Sequence, residues 1–218
     1  MENKVNKEFF DFLKFRLKSD IPGLSAHKKM APKIGEKFFR DFKPTSYAKS
    51  SAVLALFTNF DTNIEIMFTL RSENISHSGQ ISFPGGRMES DETPEQTALR
   101  ETYEETGITS DIIQIIGRGS VLYVPPSNSI ITPVIGLLNK EPELILNPDE
   151  VQEIFFVPFS HFITQQTIKM QTKNFDGHNV ELPYWDVHHS TPLWGATAMM
   201  LMEIVELYKE FEKNIPQL

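Results

Sequence analysis

Glu101, Glu104 and Glu105 stand at i, i+3 and i+4 in a stretch whose spacing predicts a helix over residues 93–106. At that spacing the three side chains are neighbours within one turn. Three carboxylates so close repel one another, and the adjacent Arg100 cannot neutralise all of them. A hard divalent cation, Mg²⁺ or Mn²⁺, resolves the conflict, because it takes carboxylate oxygens and waters as ligands. Mg²⁺ sites of this kind recruit substrate phosphates to complete the shell. Taken alone, the helix points to a metal-dependent enzyme acting on a phosphate compound. Acidic clusters at this spacing also occur on solvated helix faces. The preceding loop shifts the balance towards chemistry. Pro84-Gly85-Gly86 allows close backbone approach where a strand enters a loop. Glu92, eight residues before Arg100, can pair with it and fix the loop on the helix.

The elements that must position these groups are readable from periodicity. Phe9, Phe10, Leu13 and Leu17 mark one face of a first helix, stopped by Pro22-Gly23. Residues 20–48 carry Pro22, Pro32, Pro44 and several lysines and read as an irregular basic lead-in. Strands are expected at residues 51–57, 65–70, 80–83, 112–121, 130–138 and 151–157, the first two joined through Asn59, Asp61 and Asn63. Pro94 after Thr93 opens the acidic helix, and Gly107 closes it. Residues 168–172 and 180–185 read as a hairpin around Asp176-Gly177, and residues 194–211 as a long terminal helix. This order suits an α/β chain with a mixed sheet between helical layers. The expected organisation is a lead-in over residues 1–48, packed on a main domain over residues 49–218.

Composition narrows the classes further. With 21 basic and 29 acidic residues the net charge is −8, which disfavours generic nucleic-acid binding. An anion can still be held locally, through a metal ion or a small basic pocket. There is no cysteine, so disulfides, thiolate catalysis, iron–sulfur clusters and Cys-ligated zinc are excluded. Residues 1–7 are polar and lack the apolar core of a secretory signal, and no apolar run is long enough to cross a bilayer. The expected location is the cytoplasm, away from membranes. The apolar face of the first helix could serve a homodimer.

Gly86, Glu92, Arg100, Glu101, Glu104, Glu105, Gly107 and Ile108 fall at every fixed position of G-x5-E-x7-R-E-U-x-E-E-x-G-U, where U is apolar. This pattern resembles the signature of the Nudix hydrolases, with Thr102 at the first U as the one departure. Thr69-Leu70-Arg71-Ser72 and the run from His77 to Gly86 are similar to the motif of the coenzyme A pyrophosphatase branch. So are residues 131–136, 147–151 and 194–198, so that the resemblance covers most of the chain. That branch carries a second Arg where this sequence has Ser76, and the chain is one residue shorter between Arg71 and Gly79. Lys28, Lys29 or Lys49 would then have to supply the missing charge.

The resemblance implies the Nudix-type α/β/α sandwich, with the acidic loop–helix at the sheet's edge. It implies Mg²⁺ or Mn²⁺ held by Glu101, Glu104 and Glu105, with the Gly86 carbonyl as a further ligand. Glu105 or Glu150 would orient or deprotonate the attacking water, and Arg100 would hold Glu92 and the carboxylates in place. Gly85, Arg71 and His77 are the candidate substrate contacts. Arg71 reads equally as a surface ion pair, and His77 as a loop hydrogen-bonding group. The implied reaction is cleavage of the coenzyme A diphosphate to 3′,5′-ADP and 4′-phosphopantetheine. Two alternatives remain: another nucleoside diphosphate linked to X, such as ADP-ribose, or a non-catalytic nucleotide-sensing module. His188-His189 with Asp186 superficially has the look of a metal cluster, but adjacent side chains need not face one ion. Tyr184, Trp185 and Trp194 are read as core or as a wall for the substrate, and Met199, Met200 and Met202 as helix packing.

Overall fold

The strand Lys49–Thr58 (β3) buries alternate residues against different neighbours. Ala52, Leu54 and Leu56 pack into one apolar cluster, whereas Val53, Ala55 and Phe57 pack into another. A strand covered on both faces carries an unbroken apolar run, and that is what its sequence shows. The computed structural model describes residues 2–39, 43–58, 63–73, 78–175 and 177–214.

β3 is the middle strand of a sheet ordered β10-β4-β3-β9-β7, formed with Glu65–Arg71 (β4), Ile113–Arg118 (β7), Ser129–Leu138 (β9) and Val151–Pro158 (β10). Three short strands attach to it: Ile81–Ser82 (β5) on β4, Gly85–Arg87 (β6) on β3, and Leu122–Val124 (β8) on β9. β3 and β9 run parallel and the other pairs antiparallel, so the sheet is mixed, as expected. The helix Pro94–Thr106 (α3) covers one face through Ala98 and Leu99. Glu2–Arg16 (α1) and Gly195–Asn214 (α5) cover the other. A second sheet combines Lys33–Ile34 (β1), Lys37–Phe38 (β2), Ile168–Phe175 (β11), His178–Trp185 (β12) and Leu193–Trp194 (β13). Short helices Leu24–His27 (α2) and Ser160–Ile163 (α4) complete the α class.

Several expectations need correction. The lead-in is not irregular, because it holds α2 and contributes β1 and β2 to the second sheet, with Lys33 opposite Glu181. Strands of two residues are too short for periodicity to reveal. The strand expected over residues 112–121 ends at Arg118, after a register shift between Ile115 and Gly117. Beyond it the buried carboxylate of Glu203 accepts from the Ser120 N–H at 2.7 Å and from the Gly23 N–H at 2.6 Å. That pulls the chain off the sheet and ties the lead-in to α5. α3 lies across the central strand β3, not at the sheet's edge, because small Ala98 and pairing of β6 with β3 bring the loop and helix there. The apolar face of α1 is occupied within the chain: Phe9 packs on Phe159, Tyr208 and Phe211, and Phe10 on Phe57. The feature that suggested a homodimer is therefore used internally.

Candidate active site

α3 begins where local chemistry says it should. Thr93 accepts from the Gln96 N–H at 3.3 Å while the Gln96 side chain accepts from the Thr93 N–H at 2.8 Å, a capping box. Gly107 ends the helix in the left-handed region at φ 76°. Thr102, polar where the signature is apolar, is fully buried, and its hydroxyl donates to the Ala98 carbonyl at 2.7 Å. The departure thus leaves no unpaired polar group.

The glycines before the helix are required by contact. Gly85 sits at φ 150°, and a Cβ there would fall on the backbone of Ala52 and Val53. A Cβ on Gly86 would fall on the carboxylate of Glu101. Side-chain-free backbone is what lets β6 pass between β3 and that carboxylate.

Arg100 is the hub of the polar array. Its Nε and Nη2 donate to the two oxygens of Glu92 at 2.7 and 3.0 Å. Its Nη1 donates to Glu101 at 2.8 Å and to Glu104 at 3.0 Å, and Nη2 also donates to the Arg87 carbonyl at 3.1 Å. Glu92 further accepts from the Thr97 hydroxyl at 2.6 Å and the Glu89 N–H at 3.0 Å. These bonds, that to Arg100 foremost, hold the Glu92 carboxyl down to about 2. The guanidinium is pushed higher still above its ordinary range, chiefly by Glu92.

Among the described residues, one oxygen each of Glu101, Glu105 and Glu150 lie within 4.8 Å of one another. Glu105 is 3% exposed. Burial pushes its carboxyl up to about 8, with Glu101 and Glu150 adding repulsion and Arg71 and the Gly85 N–H opposing it. Burial also raises Glu101. Glu150 reaches the cluster because its loop is latched to the end of α3. The Ile145 N–H donates to the Thr106 carbonyl at 2.8 Å, the Asn147 N–H to Glu105 at 3.2 Å, and the Ser72 N–H to the Glu150 carbonyl at 2.9 Å. The first two satisfy carbonyls that any helix end leaves open. Glu104 is not in this group. Its side chain is 47% exposed and turned to Arg100, four residues earlier. The donor set fits a divalent cation: three carboxylates, two of them desolvated, are held closer than like charges otherwise tolerate.

Arg71 lies at the end of β4, its charge acting on Glu105. His77 and Ser76 fall outside the described residues. Lys29 pairs with Glu206 at 2.5 Å, and Lys28 lies over the Phe38 ring, so both are engaged elsewhere. Asp186 pairs with Lys169 at 2.7 Å, and His188 Nε2 lies 3.2 Å from Glu153, so the histidine pair and Asp186 do not converge on one ion. A cavity of about 520 Å³ adjoins the carboxylates, sharing Arg71, Gly85 and Gly86 with them. Trp194 lines it, while Trp185 is wholly buried core. Met202 is core, as expected, but Met199 and Met200 also line the cavity. Phe39, Phe175 and Leu182, which sequence reasoning passed over, line it as well. No local pattern marks them, because they come from separate strands and loops.

A family model described as NUDIX domain matches residues 48–176. The chain is 32% identical over 175 residues to Nudix hydrolase 3 of Caenorhabditis elegans, covering 72% of each chain. It is 37% identical over 103 residues to a peroxisomal coenzyme A diphosphatase of Mus musculus, covering 46% of this chain and 43% of that one. It is 30% identical over 156 residues to a mitochondrial coenzyme A diphosphatase of Homo sapiens, covering 69% and 66%. Among solved structures, a Nudix hydrolase from M. smegmatis, RenU, superposes with a TM-score of 0.52 at 17% identity, over 78% of this chain and 89% of that one. No described helix is long and apolar enough to cross a membrane.

Proposed function

The chain belongs to the Nudix hydrolase family, and from that premise we propose that it hydrolyses the diphosphate of coenzyme A or its derivatives to 3′,5′-ADP and 4′-phosphopantetheine. The observation that carries the hydrolase reading is the convergence of Glu101, Glu105 and Glu150 beside a cavity that shares Arg71, Gly85 and Gly86 with them. The coenzyme A assignment is supported by the match of residues 69–86 to that branch and by the two relatives named as coenzyme A diphosphatases.

Glu101, Glu105 and Glu150, with the Gly86 carbonyl, would hold Mg²⁺ or Mn²⁺, and Glu104 would join by turning from Arg100. When bound, the cation supplies charge neutralisation for the diphosphate and makes water a better nucleophile at neutral pH. Glu105 or Glu150 accepts the proton of the attacking water. Water adds to one phosphorus, the bridging P–O bond breaks, and the second phosphate leaves with the bridging oxygen. Arg71 contacts the diphosphate as a charge-assisted donor. Arg100 acts as a positioning residue, since its five hydrogen bonds fix Glu92, Glu101, Glu104 and the Arg87 carbonyl relative to one another.

The test is incubation of the full chain with coenzyme A and Mg²⁺, with products read by mass spectrometry. Formation of 3′,5′-ADP and 4′-phosphopantetheine is expected. Intact coenzyme A, with ADP-ribose cleaved under the same conditions, would move the assignment to another nucleoside diphosphate linked to X. Ser76, where the branch has Arg, is the observation that favours that second reading. The intact carboxylate set argues against a purely sensing module.

A further inference from the structure

The cavity beside the carboxylates has two unlike ends. The charged side chains in its lining are Arg71, at the end of β4, and Arg87, on the strand that contains Gly85 and Gly86. Gln80, Tyr123 and several Ser and Thr side chains also line it, and Phe39, Phe175, Leu182, Trp194 and Met199 form an apolar part of its wall. Phe175 joins these walls into one aromatic corner, its ring centroid 5.8 Å from Phe39 and 6.4 Å from Trp194. The Lys173 ammonium, 5.2 Å from the Trp194 centroid, holds that ring from the second sheet. Phe39, Leu182, Trp194 and Met199 all lie outside residues 48–176, the part matched by the family model.

We infer that this wall is the recognition surface for the uncharged arm that continues beyond the diphosphate, and that Trp194 is its specificity-determining residue. The inference rests on the diphosphate-hydrolase reading and extends it to the phosphopantetheine half of the substrate. A pocket with cationic groups at one end and aromatic and aliphatic groups at the other suits a molecule that is anionic at one end and largely apolar at the other. A second ribose seated against the Phe39–Phe175–Trp194 corner would bring hydroxyls onto apolar rings that offer them no hydrogen-bond partner, which is unfavourable. A flexible arm of methylenes, methyls and a few amides buries apolar surface at far smaller desolvation cost.

The chain has two tryptophans, Trp185 in the core and Trp194 in the cavity, so emission can report occupancy directly. Full-length protein in Mg²⁺ is titrated with 4′-phosphopantetheine and, separately, with 3′,5′-ADP, neither of which can be turned over. 4′-Phosphopantetheine is expected to quench or shift the emission, and 3′,5′-ADP to leave it unchanged. The response should vanish in Trp194→Phe, whose remaining Trp185 emission reports that the core is intact. In turnover, Trp194→Ala should raise KM for coenzyme A roughly three- to ten-fold, the scale of one lost aromatic contact, with kcat within about two-fold. A response to 3′,5′-ADP instead, silence towards both ligands, or a loss confined to kcat would overturn the inference. Because the titration needs no turnover, a chain that binds 4′-phosphopantetheine without cleaving coenzyme A would overturn the coenzyme A cleavage assignment and leave this one standing.

Discussion

The carboxylate cluster and the cavity meet at Gly85 and Gly86 yet are built on opposite principles. The cluster forces like charges together: Glu101, Glu105 and Glu150 sit within 4.8 Å, and burial pushes Glu105 up to about 8. Backbone latches from the 145–150 loop and the Arg100 hub hold it against that repulsion. The cavity contains no such conflict. Part of its wall is made of side chains of the main core, Phe83, Met199 and Met200 among them. Strain stored in one region and comfortable packing in the other is the division expected of chemistry and selectivity. Substitutions in the cluster should therefore trade activity for stability, and substitutions in the cavity should trade one substrate for another.

The largest expected effect is loss of the cation. Excess chelator should abolish turnover and added Mg²⁺ or Mn²⁺ restore it, and undiminished activity in chelator would break the first half of the comparison. Next, Glu105→Gln and Glu104→Gln should each lower kcat by at least ~10²-fold, the scale of losing a key electrostatic or acid–base group. Their effects on the cation-free fold should differ. The folded chain holds the Glu105 proton up to about pH 8, while the unfolded chain releases it near 4.5, so wild-type stability falls as pH rises through that window. Glu105→Gln removes that loss, and its Tm advantage over wild type should grow from about pH 4.5 to about pH 8 and then level off. Glu104→Gln removes only an exposed pairing with Arg100 and should change Tm little. Equal pH profiles for the two variants would refute the separation of Glu104 from the cluster. The smallest effect belongs to Glu92. Its carboxyl lies depressed at about 2 against 4.5, so its contribution is present above 4.5 and lost as pH falls through about 2. Glu92→Gln should flatten the acid limb of the unfolding curve, and an unchanged limb would mean that Arg100 does not depend on it.

The two regions were also unequally legible in the sequence. The acidic helix, its caps and the partners Glu92 and Arg100 lie within residues 92–107, so spacing alone brought them together. Glu150 came from resemblance, because only the latch onto Glu105 and Thr106 carries its loop to the site. Helical arithmetic could not tell Glu104 from Glu105: both neighbour Glu101, but Glu104 is also four residues from Arg100, which takes it. The cavity was almost unreadable. Trp194 was a candidate wall by type, but Phe39 and Leu182 become neighbours only through pairing of β1 with β12, where one residue pair sets the register. Glu203 gave no signal either, since an acid inside an apolar helix is interpretable only once the Gly23 and Ser120 amides are seen to point at it.

The central claim is that this carboxylate site and this cavity together select coenzyme A. The most direct measurement is kcat/KM for coenzyme A, dephospho-coenzyme A and ADP-ribose at one Mg²⁺ concentration. Coenzyme A is expected to exceed ADP-ribose. Its advantage over dephospho-coenzyme A should be about ten-fold or less, the lower end for one charge-assisted phosphate contact, because Ser76 replaces a basic residue. ADP-ribose preferred by about ten-fold or more would contradict the claim.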